Sequence, residues 1–174
     1  MDIYTMGQIL GLVLSIVGFF IYYAKTRRGI LCAKLVSDIG YTIQQFMIGA
    51  STGAIINVIA ILREIVFYHR QDKKWASHRF WLYLFIFLMG IAPICTWIGP
   101  VSLLPAIGSI ASVVAFYCAE PRHTRMLAIF SMVPWFIYSY IIPNYGNLLS
   151  ITIQFIAAVL GLIRDYRQMK ASRR

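Results

Sequence analysis

The chain has 174 residues, 60% hydrophobic and 13% charged, with a mean hydropathy of +0.72. Soluble domains carry about a quarter charged residues, so the composition excludes an ordinary soluble enzyme or signalling domain and indicates an integral membrane protein. The net charge of +10 is confined to connections between apolar runs, so nucleic acid is not an expected partner.

A spanning helix needs roughly 20 apolar residues. Gly, Pro and charge punctuation divides the chain into seven such segments, 7–23, 30–48, 53–68, 80–98, 104–119, 126–142 and 148–165. The opening MDIYTMGQIL has no basic residue and reads as a retained first helix, not a cleaved signal. The connections 25–29, 69–79 and 120–125 and the tail 164–174 are basic, whereas 49–53, 99–103 and 143–147 contain no Lys or Arg. With seven spans the two kinds fall on opposite sides. The positive-inside rule then places the N-terminus outside and the C-terminus in the cytoplasm, with anionic lipid heads against the basic rim. Lys34 and Arg63 lie within spans, close enough to the basic end to snorkel. Glu64 beside Arg63 is expected to form a surface pair.

The chain slid by 97 positions lays 11–70 on 108–167 without a gap. Gly11 meets Gly108, Tyr41 meets Tyr138, Gly49 meets Gly146, Ala60 meets Ala157, and an amide recurs at Asn57 and Gln154. This divides the chain into a three-helix repeat (1–70), a basic loop and linker helix (71–103), a second repeat (104–167) and a basic tail (168–174). One linker helix makes the repeats parallel, and repeat-built transporters bind at the repeat interface near the midplane. The fold class is therefore all-α, a 3+1+3 bundle whose fourth helix faces lipid.

The stretch SDIGYTIQQ (37–45) puts an ionisable residue into an otherwise apolar run. Lys34, Asp38, Tyr41 and Gln45 share one helical stripe, as do Ser131, Trp135, Tyr138 and Ile142 on its repeat partner. Gly11, Ser15 and Gly18 form a small-residue stripe suited to close helix packing. Polar groups in lipid face a partner or a cavity. Asp38, Tyr41, Asn57, Trp135, Tyr138 and Gln154 are accordingly candidates to surround a small polar solute such as a sugar. Aromatic faces would stack on it and amides would hydrogen-bond it. Asp38 would accept from solute hydroxyls, take up a proton, or pair with Lys34 one turn away.

Other chemistries find no support. Cys32, Cys95 and Cys118 have no metal-ligand spacing and read as small packing residues. The histidines are peripheral, no Ser–His or HExxH arrangement exists, and 148–165 lacks the lysine a retinal protein needs. No enzyme activity, metal or cofactor is expected, and a homo-oligomer is compatible with the arrangement.

WFIY (135–138) followed by TIQF (152–155), with DIGY (38–41) and INVI (56–59) in the first unit, resembles the W-x-x-Y and asparagine motifs of the SWEET and PQ-loop (MtN3-like) transporters. As a whole the chain is similar to the YgjV-type bacterial inner-membrane proteins. The resemblance implies a transporter, facilitative or ion-coupled, with a pocket bounded by Asp38, Asn57, Trp135 and Gln154. Relatives of the same helix arrangement carry nicotinamide riboside. There is no Pro-Gln pair, the first unit has no proline, and Asp38 stands at a tryptophan position. Gly18, Gly40 and Pro134 are the candidate hinges. The alternative is a ligand-sensing or interaction protein on the same scaffold.

Overall fold

The computed structural model describes residues 2–172, with side chains to Lys170. Among these residues the regular structure is helical: α1 Ile3–Tyr23, α2 Arg27–Met47, α3 Ser51–His69, α4 Lys74–Ser77, α5 Phe80–Cys95, α6 Leu103–Tyr117, α7 Pro121–Ile141 and α8 Tyr145–Ser172. The seven expected segments each correspond to one long helix. The basic 69–79 connection adds the one-turn α4, and a short 3₁₀ turn, Pro100–Ser102, precedes α6. By length and apolarity four stretches suffice to cross a membrane: Ile3–Tyr23, Ser51–His69, Pro100–Tyr117 and Tyr145–Lys170. At 16 residues α5 is shorter, and α2 and α7 carry many polar residues. Arg173 and Arg174, the end of the basic tail, lie outside the described residues.

Local chemistry sets the helix starts. Thr26 caps α2, its Oγ1 accepting from the Gly29 amide at 3.1 Å, so Arg27 and Arg28 fall inside the helix. Pro121 occupies the first turn of α7, where its missing N–H costs nothing. Asn144 caps α8 through its Oδ1, 3.1 Å from the Asn147 amide. The α2–α3 turn places Gly49 at φ +77°, a left-handed conformation that glycine adopts without strain.

Six helices close a ring in the order α1, α2, α3, α6, α7, α8, and α5 packs outside it across α3 and α6. The ring is polar inside and apolar outside. Arg63 and Arg125 are among the largest fully buried side chains, while Phe130 and Tyr140 are more than 70% exposed. This inversion of a soluble core is what a bilayer demands.

The helix ends repeat at a constant spacing. α1 ends at Tyr23 and α6 at Tyr117; α2 spans Arg27–Met47 and α7 spans Pro121–Ile141; α3 begins at Ser51 and α8 at Tyr145. Each pair differs by 94 residues, not the 97 expected from the ungapped alignment. Turn hydrogen bonds follow the same spacing: Ala50 N to Gln45 O answers Asn144 N to Ser139 O, and Ala54 N to Ala50 O answers Leu148 N to Asn144 O. The alignment fails because identities at 97 lie almost one helical turn away, on nearly the same helix face, and mimic a register. Gly49 therefore answers Pro143, and Gly146 belongs to the first turn of α8. The cysteine expectation fails too: Cys32 and Cys95 are exposed on the apolar exterior, and Cys118 is half-buried in the α6–α7 connection.

Candidate functional site

Inside the ring lies a cavity of about 60 Å³ with walls from all six ring helices. Asp38, Tyr41, Asn57, Trp135 and Gln154 line it. Tyr138 does not. It sits one turn nearer the uncharged end of α7, 1% exposed, edge-on to Trp135 with ring centroids 5.8 Å apart. The 94-residue spacing explains the difference: Tyr41 answers Trp135, and Asp38 answers Met132.

The cavity wall contains five position pairs at this spacing: Ser37 and Ser131, Asp38 and Met132, Tyr41 and Trp135, Asn57 and Ile151, Ala60 and Gln154. Each ring half supplies two amides to the wall, Gln45 and Asn57 from one and Asn147 and Gln154 from the other. A water needs roughly 10–15 Å³ of such volume, so the cavity holds about four to six water-sized groups. A hexose enters only if helices part.

Lys34 donates to Asp38 Oδ1 one turn away on α2. Asp38 is nonetheless 1% exposed, and its Oδ2 has no partner among the described residues. Three further wall atoms share that condition: Ser37 Oγ, Gln45 Oε1 and Arg63 Nη1. The other wall groups are held in place. The Tyr41 hydroxyl donates to Gly11 O at 3.1 Å, Trp135 Nε1 to Ser109 Oγ at 3.2 Å, and Gln154 Nε2 to Ser150 Oγ at 2.9 Å.

Arg63 does not snorkel, and its pair with Glu64 is not a surface pair. Both residues are 1% exposed; Arg63 Nε and Nη2 donate to Glu64 Oε1 at 3.2 and 2.5 Å. The guanidinium lies over the Phe116 ring at 5.0 Å, so α6 supplies the apolar cover that lipid headgroups would otherwise replace. The sequence signal for Arg63 was a charge more than one turn inside an apolar helix. Ser37, Gln45, Ser109 and Asn147, also on the wall, carried weaker signals because single polar residues in spans often only tie helices together.

Polar contacts close both ends. At the uncharged end Gln44 and Asn144 exchange amide hydrogen bonds of 2.9 and 3.2 Å, and Asn147 Nδ2 donates to Ser139 Oγ at 2.7 Å. At the basic end Arg27 donates to the carbonyls of Phe67, Phe116 and Cys118 at 2.9, 3.1 and 2.9 Å. Arg125 donates to Tyr22 O at 2.8 Å and Ala24 O at 2.6 Å, and pairs with Asp165. The candidate hinges are packing positions in unbroken helix. A Cβ on Gly40 would lie 2.4 Å from Leu14 Cδ2, and one on Gly18 would lie 2.8 Å from Ser150 Oγ. Pro134 sits within continuous α7. Among the described residues no three His, Cys, Asp or Glu side chains gather as a metal site.

The inverted polarity and the helical composition agree with comparison to known proteins. No solved structure matches the chain. It is 25% identical over 173 residues to the inner membrane protein YgjV of Escherichia coli K12, covering 98% of this chain and 90% of that protein. A family model described as bacterial inner membrane protein matches residues 5–169. The chain therefore belongs to the Imp-YgjV family of bacterial inner membrane proteins.

Proposed function

We propose that the protein moves a small polar solute across the inner membrane by rocking two parallel three-helix repeats about the central cavity. The repeats are α1–α3 and α6–α8, joined by α5 in the 3+1+3 manner of the SWEET and PQ-loop transporters. They span the membrane seven times, with the N-terminus outside and the C-terminus cytoplasmic. One observation carries the reading: five pairs of positions 94 residues apart face one cavity. Gene duplication yields such a wall, and repeat-built transporters bind between their repeats. The polar contacts at the two ends and the small volume support a resting state in which helices must part before a solute enters. Trp135 and Tyr41 stack on the solute, Asn57 and Gln154 hydrogen-bond it, and Asp38 accepts from it or carries a proton. At the basic end the groove between Arg122, Tyr166, Arg167 and Lys170 suits an anionic lipid head.

Solute uptake by wild type and Asp38→Asn in proteoliposomes, with and without a pH gradient, tests the reading. Asp38→Asn should abolish the gradient-dependent component. Equal uptake by both proteins under every condition removes Asp38 from the mechanism.

The packing of Gly18 and Gly40 favours a second reading, a receptor on this scaffold. Without a proline in the first repeat and with both glycines occupied by neighbours, the ring has few places to bend. Binding without flux would select it.

A further inference from the structure

The outer surface between α7 and α8 departs from its repeat at one point of charge. On the first half Arg28 pairs with Asp72 and lies over the Tyr68 ring at 5.5 Å. The positions 94 residues further on are Arg122, Tyr166 and Leu162. The second half thus keeps the arginine and loses the acid that neutralises it. Arg122, Met126, Leu162, Tyr166, Arg167 and Lys170 instead line an open groove of about 520 Å³ at the basic end, within the roughly 300–1,000 Å³ of ligand pockets. Arg122, Tyr166, Arg167 and Lys170 are all exposed. Among the described residues no acid pairs with these three cations. Glu120 and Asp165, on the same two helix ends, contact His123 and Arg125 instead. The Arg122 guanidinium donates to the Met169 sulfur at 3.4 Å, a weak acceptor.

An apolar trough lies between the same two helices deeper in the bundle, walled by Ile129, Val133, Phe136, Ile137 and Phe155. On α7 Arg122, Met126, Ile129, Val133 and Phe136 follow in steps of three or four residues, so they share one helix face. On α8 Phe155, Leu162 and Tyr166 do the same at multiples of that spacing. From Met126 to Ile137 the trough runs about 16 Å at the helical rise, roughly half the hydrocarbon thickness of a bilayer. Cations at one end and a leaflet-deep apolar trough below them match an anionic head and its acyl chain. A soluble anion would leave the trough unused, and a neutral lipid would leave the cations uncompensated.

We infer that this groove seats one anionic phospholipid from the leaflet on the basic side. Its phosphate lies on Arg122, Arg167 and Lys170, and an acyl chain runs along Met126, Val133 and Ile137. The inference rests on the proposed contact of the basic end with anionic lipid and is independent of transport.

The test is native mass spectrometry of the full chain in a neutral detergent, titrated with phosphatidylglycerol or with phosphatidylcholine of the same chains. One phosphatidylglycerol should be retained at least about tenfold more tightly than phosphatidylcholine. Tyr166→Asp, which gives Arg122 the acid its repeat partner has, should erase that preference, as should Arg122→Gln combined with Arg167→Gln. Lys73→Gln combined with Lys74→Gln, which removes as much charge from the basic 69–79 connection, should retain it. Val133→Trp, in the trough, should weaken phosphatidylglycerol binding several-fold. Equal loss in the Lys73 and Lys74 control overturns the groove and leaves the wider basic rim standing. No preference for phosphatidylglycerol in wild type overturns both. Unchanged binding by Val133→Trp, or displacement of the lipid by equimolar glycerol 3-phosphate, overturns the phospholipid in favour of a soluble phosphate.

Discussion

The ring has two seams between its halves, and they are built differently. Along α1–α8 the backbones touch. A Cβ on Gly146 would fall 2.5 Å from the Gly11 backbone, and Gly18 admits Ser150 and Gln154. Along α3–α6 the helices meet less closely, and α5 wedges against both with Phe85, Met89, Ala92 and Pro93. At the basic end two arginines stitch each seam, and one from each seam keeps the 94-residue spacing: Arg70 donates to Tyr117 O across α3–α6 and Arg164 to Tyr23 O across α1–α8. Arg125 of α7 holds Tyr22 O, Ala24 O and Asp165 across α1–α8, while Arg27 of α2 holds Phe67 O, Phe116 O and Cys118 O across α3–α6. The helix-end carbonyls correspond at the 94-residue spacing, Tyr22 with Phe116 and Ala24 with Cys118. Arg27 and Arg125 do not; Arg125 starts one turn further along its helix. Helix C-termini leave carbonyls that need donors, so geometry fixes the acceptors and two different sequence positions meet the need. One seam is closely packed, backbone against backbone. The other is filled by side chains that can rearrange.

The largest effect should come from unstitching the seams unequally. Arg125→Gln uncaps two carbonyls and leaves Asp165, 19% exposed, only its 3.8 Å contact with Arg164, and should destabilise by about 3 kcal/mol, the low end for a broken buried ion pair. Arg27→Gln, which strands no acid, should cost about 1.5–3 kcal/mol. Unfolding midpoints in detergent measure both, and equal losses would show that Asp165 contributes nothing to the asymmetry. Next in size, Gly146→Val pushes a side chain into the Gly11 backbone and should cost about 1–3 kcal/mol or more. If it proves neutral, the α1–α8 seam is not closely packed. Gln44→Leu removes the reciprocal amide pair with Asn144 and should cost about 0.6–1.7 kcal/mol by the same measurement. Smallest of all, Gly90→Ala on the linker, where a Cβ meets nothing within 4 Å, should change stability by less than about 0.5 kcal/mol.

Hydropathy and punctuation located each long helix, because apolar length is a property of the chain alone, but they cut off the polar first turn of α7 and the basic last turns of α8. Asp38, Asn57, Trp135 and Gln154 stood out because a polar residue in an oily run has few reasons to be there. Tyr138 was misplaced by the same argument: stripes repeat every three to four residues, so a register error of three leaves the face nearly unchanged and moves the depth by about 4.5 Å. Arg63 was read as a snorkelling residue because nothing in its own helix reveals that Phe116, 53 positions away, covers it.

The sequence by itself determined the class of molecule, its helices, the basic and uncharged ends, and which polar residues needed an explanation. These follow from short-range chemistry, the cost of apolar surface in water and of polar groups in lipid. Only the tertiary structure decided the 94-residue register, the burial of Arg63 and Glu64, the arginine stitches at the basic end and which side chains line the cavity. Each of these depends on which side chain from a distant helix arrives at a given depth, and packing between helices sets that depth.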